Sequence, residues 1–172
     1  MNKDNLRQIF DNYIKRFDEF DQKYTETYKW KICRKYPELM HDALNSEPDE
    51  FADKLKAVKY CTYNIIDSYT QPFGGLVDFA REDPVSVQNM FKNLYEEDNG
   101  DLKIRMEKIS DFFTKSGELL ERFTPGSYLF AQNSHSVSSY LFLNDPDNHY
   151  MYKATQSQRF ADCVEFLDDW GT

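Results

Sequence analysis

The stretch LKIRMEKISDFFTKSGELLERF, residues 102–123, decides the fold class. Leu102, Met106, Ile109, Phe112, Phe113, Leu119, Leu120 and Phe123 recur at the three- and four-residue steps of one helical face. Gly117 lies inside the run, and Thr124-Pro125-Gly126-Ser127 ends it. So long an apolar face needs neighbours of the same period to bury it. Val87, Met90, Phe91 and Leu94 supply one, after an Asp83-Pro84 start that pairs a capping residue with a first-turn proline. Phe51, Leu55 and Val58 supply another, after the break at Ser46-Glu47-Pro48-Asp49. With 14 Phe and 12 Tyr in 172 residues there is ample core material, and 6 Gly with 6 Pro leave little for turns. The expectation is a mainly α, single multi-helix domain over residues 1–172, with at most a small two-stranded β element.

Around this centre the chain reads in pieces. Leu6, Phe10, Tyr13, Phe17, Phe20 and Tyr24, widened by Ile9 and Ile14, form an N-terminal stripe with the charged residues off it. It reads as one core-facing helix; the alternative is a seam for a partner helix or an oligomer. A second helix is expected over residues 25–36, with Pro37 starting or kinking the next over 38–44. Thr70-Gln71-Pro72-Phe73-Gly74-Gly75 is the clearest loop, followed by a short helix over 76–81. Tyr128-Leu129-Phe130-Ala131 and His149-Tyr150-Met151-Tyr152-Lys153 are the two strand candidates, with a buried helix over 136–143 between them. A last amphipathic helix, residues 156–170, carries Phe160, Val164 and Leu167. A tryptophan so near the end, in Asp169-Trp170-Gly171-Thr172, reads as a cut from a longer protein.

The formal net charge of −9 excludes simple coating of duplex DNA, because a uniformly acidic surface repels phosphates. A local basic patch, or the reading of one flipped base, is compatible with it. Cys33, Cys61 and Cys163 form no CxxC pair and no secretory segment opens the chain. They read as reduced, mostly buried thiols of a cytoplasmic protein. No apolar run approaches the roughly 20 residues that span a bilayer. His41, His135 and His149 are isolated, without zinc-ligand spacing. Gly74-Gly75 lacks the lysine and Ser/Thr of a phosphate loop, and Ser134-His135-Ser136 lacks a nucleophile elbow. Pro48-Asp49 and Asp101-Leu102-Lys103 sit at helix starts rather than on a nuclease frame, and Glu96-Glu97-Asp98 reads as an acidic turn. No catalytic residue, cofactor or metal is expected in this chain.

Two clusters remain. Lys29-Trp30-Lys31-Ile32-Cys33-Arg34-Lys35-Tyr36 interleaves cations with aromatics, and helical spacing puts Lys31, Arg34 and Lys35 on one face. Such a face suits phosphates and stacked bases, and equally an ordinary solvated helix side. On a strand, Tyr150 and Tyr152 share one face and Lys153 lies on the other, so the tyrosines either stack on a base or pack a helix.

Several segments together resemble the N-terminal region of McrB-like AAA+ ATPases, the motor subunits of modification-dependent restriction and related phage-defence systems. They are Tyr28-Lys29-Trp30-Lys31; Phe51-Ala52-Asp53-Lys54-Leu55; Asp83-Pro84 through Met90-Phe91-Lys92-Asn93-Leu94-Tyr95-Glu96-Glu97; Asp101-Leu102 through Arg105-Met106; and Ser136-Val137-Ser138-Ser139-Tyr140-Leu141 with Pro146, Tyr150, Tyr152 and Lys153. They span the chain from about Tyr24. It departs from the family where Tyr36-Pro37-Glu38 replaces an expected second tryptophan, and no Walker motif is present. The resemblance implies a non-catalytic target-recognition or adaptor domain whose ATPase motor follows Thr172. It implies modified or single-stranded nucleic acid as target, contacted by Trp30, Lys31, Arg34, Tyr150, Tyr152 and Lys153. Further implied partners are a nuclease subunit or other defence protein, and copies of itself assembled through the full-length ATPase. The alternative function is a protein-interaction or oligomerisation module, which the acidic surface and the N-terminal stripe favour.

Overall fold

The computed structural model describes residues 1–24, 27–63, 65–67 and 69–167. Among them are nine helices: α1 (Lys3–Lys15), α2 (Phe17–Tyr24), α3 (Tyr28–Leu44), α4 (Pro48–Cys61), α5 (Pro72–Glu82), α6 (Pro84–Tyr95), α7 (Leu102–Phe123), α8 (Ser134–Asn144) and α9 (Ala154–Cys163). The mainly α fold is thus present, and no strand occurs among the described residues. The chain gathers into two compact units, residues 1–31 with 152–172 and residues 32–151.

The helix starts of the second unit follow local chemistry. Asp83 accepts the backbone N–H of Ser86, with Pro84 in the first turn where no donor is needed. Asp101 accepts from Lys103 and Ile104, and Asn133 and Ser136 form a reciprocal capping box on α8. Gln71, the cap residue of α5, makes no such bond. Asp67 serves instead: one carboxylate oxygen accepts from Phe73 at 2.7 Å and Gly74 at 3.3 Å.

The core of this unit is aromatic. Phe73 from α5, Phe91 from α6, Phe112 from α7 and Tyr140 from α8 are fully buried, with contacting ring centroids 5.2–6.1 Å apart. Met40, Phe51, Leu55, Leu76, Met90 and Leu143 complete it. The buried hydroxyls are paired: Tyr36 with Tyr95 at 2.9 Å, and Tyr140 donating to Gln132 at 3.0 Å. Burial pushes the Tyr36 and Tyr140 phenols well up, so both stay neutral.

Several expectations are corrected. Tyr128–Ala131 is not a strand: Phe130 has φ +73°, its N–H donates to Thr70, and its ring packs on Gly75. Residues 149–153 take no strand conformation, and Lys153 becomes the cap residue of α9. Tyr150 and Tyr152 therefore share no strand face. Gly74 and Gly75 lie inside α5, because Pro72 starts the helix. Pro37 lies within the continuous α3. The last helix ends at Cys163 rather than reaching 170: Val164 is its cap residue and residues 164–167 are turn and coil, while 168–170 lie outside the described residues. The N-terminal stripe breaks into α1 and α2 at Arg16, and α1 has no buried residue. It is not core-facing. Nor are the thiols buried: Cys33 and Cys61 are half-buried and Cys163 is exposed.

In the first unit, Asn2 caps α1 and its N–H donates to Val164, while the Asn5 amide donates to Cys163 at 3.0 Å. Tyr13 stacks with Phe20 and meets Phe17 edge-on, and Phe17 stacks with Trp30.

Glycine substitutions test the packing. A Cβ on Gly75 would collide with the Phe130 Cβ and Cγ, whereas one on Gly117, mid-helix in α7, meets nothing within 4 Å. Gly75→Ala is expected to destabilise by about 1–3 kcal/mol through overpacking. Gly117→Ala is expected to stabilise by about 0.5–1 kcal/mol through helix propensity. Denaturant midpoints of the two variants against wild type check both signs.

Candidate nucleic-acid interface

The segment after α4 is pinned from inside and decorated outside. Ile65 and Ile66 are buried, the Ile65 carbonyl is bonded to the His135 ring at 3.0 Å, and Asp67 holds the start of α5. Between and beside these anchors, Tyr63 and Tyr69 are exposed, Tyr69 by 81%. Tyr63 holds φ +48°, in a left-handed conformation that is uncommon for a bulky residue.

The last turn of α4 adds Tyr60, 64% exposed, with the Lys56 ammonium 5.8 Å and the Lys59 ammonium 5.7 Å from its ring centroid. That is cation–π range on an open ring. Lys59 also lies 3.5 Å from the second Asp67 oxygen, which accepts no hydrogen bond. From α3, Arg34 and Lys35 are exposed, and no ion pair to either occurs among the described residues. Burial pushes the Cys61 thiol up, and the Lys35 charge opposes that push, which puts Lys35 beside the end of α4. Farther back, Lys54 of α4 bonds Asp42 of α3 at 3.1 Å. The second unit of an acidic chain thus carries two lysines around the exposed Tyr60 ring.

The other expected contact residues are placed differently. Trp30, 55% exposed, stacks on Phe17 with centroids 5.3 Å apart, so one face of the indole is covered within the first unit. Lys31 is exposed there. Tyr150 is 84% exposed in the second unit. Tyr152 belongs to the first unit, where it is half-buried and lines an apolar groove with Met1, Phe160 and Val164; Lys153 is exposed at the start of α9. Sequence reading missed Tyr60, Tyr63 and Tyr69 with Lys56 and Lys59. The signal was Lys56-Ala57-Val58-Lys59-Tyr60, whose four- and one-residue spacings put both lysines beside one ring.

A second feature, a polar cleft of about 300 Å³, joins the acidic turn after α6 to the turn after α8. The Arg105 guanidinium bonds both Asp98 oxygens, at 2.6 and 3.0 Å. That pair and the Gly100 N–H hold the Asp98 carboxyl down to about 2. His149 faces Arg105, Asp98 and Asp145; burial and the Arg105 charge depress its pKa, and the two carboxylates oppose them. Lys108 ties the turn together through the carbonyls of Glu96 and Glu97. Arg105, Asp98, Lys108 and Glu96 are thereby engaged with one another or with the turn, which makes the cleft a joint between two turns. Among the described residues, no group of three His, Cys, Asp or Glu is placed to hold a metal ion. No described helix is long and apolar enough to cross a membrane.

No family model, no curated protein and no solved structure matches this chain.

The Asp98 contact gives a pH test. Its carboxyl is lowered in the fold, so its contribution is complete above the unfolded value near 4 and is lost as pH falls toward about 2. Asp98→Asn is expected to lower stability at neutral pH, with the gap to wild type closing between pH ~4 and ~2. Urea midpoints across that range check the sign.

Proposed function

We propose that this chain is a non-catalytic target-recognition domain of a McrB-like defence ATPase, taking single-stranded or locally unpaired nucleic acid on the tyrosine–lysine surface of its second unit. One observation carries the reading: the exposed Tyr60 ring has the Lys56 and Lys59 ammonium groups within 6 Å of its centroid, and Lys35, near the end of α4, makes no ion pair among the described residues, in a chain of net charge −9. Bases stack on tyrosine faces regardless of sequence, and each phosphate pairs with a cation. An otherwise acidic surface restricts binding to this place and leaves little affinity for plain duplex. The residues implied by the family resemblance then divide. Arg34 and Tyr150 belong to the second unit with that surface, and Trp30, Lys31, Tyr152 and Lys153 belong to the first.

A second reading, a protein-docking role for the first unit, rests on a separate observation. Phe10, Tyr13 and Ile14 of the N-terminal aromatic stripe are exposed.

Fluorescence anisotropy with a labelled single-stranded oligonucleotide tests the first reading. Tyr60→Ala is expected to weaken binding about tenfold or more, the loss of one stacked base. Lys56→Ala is expected to make the logarithmic salt dependence shallower by about 0.7. An absence of binding at low salt, or an equal loss from Tyr150→Ala, contradicts it.

A further inference from the structure

Helix α1 presents an apolar row that no described residue of its unit buries. Leu6, Phe10 and Ile14 recur every fourth residue, with Tyr13 beside them; Phe10, Tyr13 and Ile14 are exposed, Ile14 by 69%. Alongside runs a second row at the same spacing: Lys3, Arg7, Asp11 and Lys15. Lys3, Leu6, Arg7, Phe10 and Asp11 line one shallow groove with Met1. Arg7 and Asp11 are one turn apart and of opposite sign, yet form no ion pair with each other or with any other described residue.

We infer that α1 is a homodimer seam, in which a second copy of this chain packs its own α1 antiparallel across the Leu6–Phe10–Ile14 row. The charge order selects this occupant. In an antiparallel two-fold arrangement a flanking row faces its own counterpart. With the axis at the level of Ile9, Arg7 comes opposite the partner's Asp11, and Asp11 opposite the partner's Arg7. The two ion pairs bracket the Phe10 contact. Lys3 comes opposite the partner's Lys15 only at the helix ends, where crossing helices diverge. A parallel copy would set this flank against the partner's opposite flank, where Asn5 and Ile9 carry no charge, so the Arg7–Asp11 pairs form only in the antiparallel arrangement. The seam is independent of the nucleic-acid surface, which belongs to the other unit.

Charge reversal tests the register. The mass of the 172-residue chain is followed by light scattering and sedimentation over a range of concentrations. Wild type is expected to pass from the monomer to twice its mass. Arg7→Asp and Asp11→Arg each place two like-charge contacts in the seam and are expected to weaken dimerisation about tenfold or more. The double reversal Arg7→Asp/Asp11→Arg exchanges the signs and is expected to restore the dimer. Phe10→Asp, on an exposed position, is expected to leave a folded monomer by circular dichroism. A wild type that stays monomeric overturns the inference, as does a double reversal no better than the single ones. Tyr60→Ala is expected to leave the dimer unchanged, so loss of oligonucleotide binding and loss of the seam are separately visible.

Discussion

The four-ring cluster of Phe73, Phe91, Phe112 and Tyr140 is the contact on which the second unit depends. Each ring comes from a different helix, so no two of α5, α6, α7 and α8 move apart without opening it. Aromatic pairs in tilted and edge-on geometry add roughly 0.5–1.5 kcal/mol beyond the area they bury. Tyr140 also carries a polar group into this core, and its bond to Gln132 fixes the strand-free segment before α8. The Gln132 amide in turn donates to the Pro72 carbonyl at the start of α5. The same hydrogen-bonded chain thus reaches the segment that displays the tyrosines.

That segment is held by the core and is not a loose excursion. Ile66 is buried among the core residues, Asp67 caps α5, and Phe130 sits on Gly75 with its N–H on Thr70. With Ile65 and Ile66 inside, Tyr63 and Tyr69 on either side are exposed. The positive φ of Tyr63 fits the same picture, a local cost tolerated where neighbouring anchors over-determine the backbone.

Much of the helical frame was legible because its signals are local. Asp83-Pro84 and the Thr124–Ser127 stop read correctly because caps and turns depend on residues a few positions apart. Phe112, Met90 and Leu55 fell on apolar faces that the fold buries. What failed depends on distant partners. The α1 stripe has the same period as a core helix, and only the absence of an element against it distinguishes the two. Tyr128–Ala131 has strand composition, yet a strand requires a neighbour to pair with, and here a turn over Gly75 takes its place. The tyrosine–lysine surface was hidden for the same reason: it requires Ile65, Ile66 and Asp67 inside for Tyr63 and Tyr69 to be outside.

The most direct measurement is an amide NMR titration of the whole chain with a short single-stranded oligonucleotide. The account predicts that the largest shifts fall at Arg34 and Lys35, at residues 56–63 and at Tyr69. Shifts confined to Trp30 and residues 150–153, or none at low salt, would contradict it.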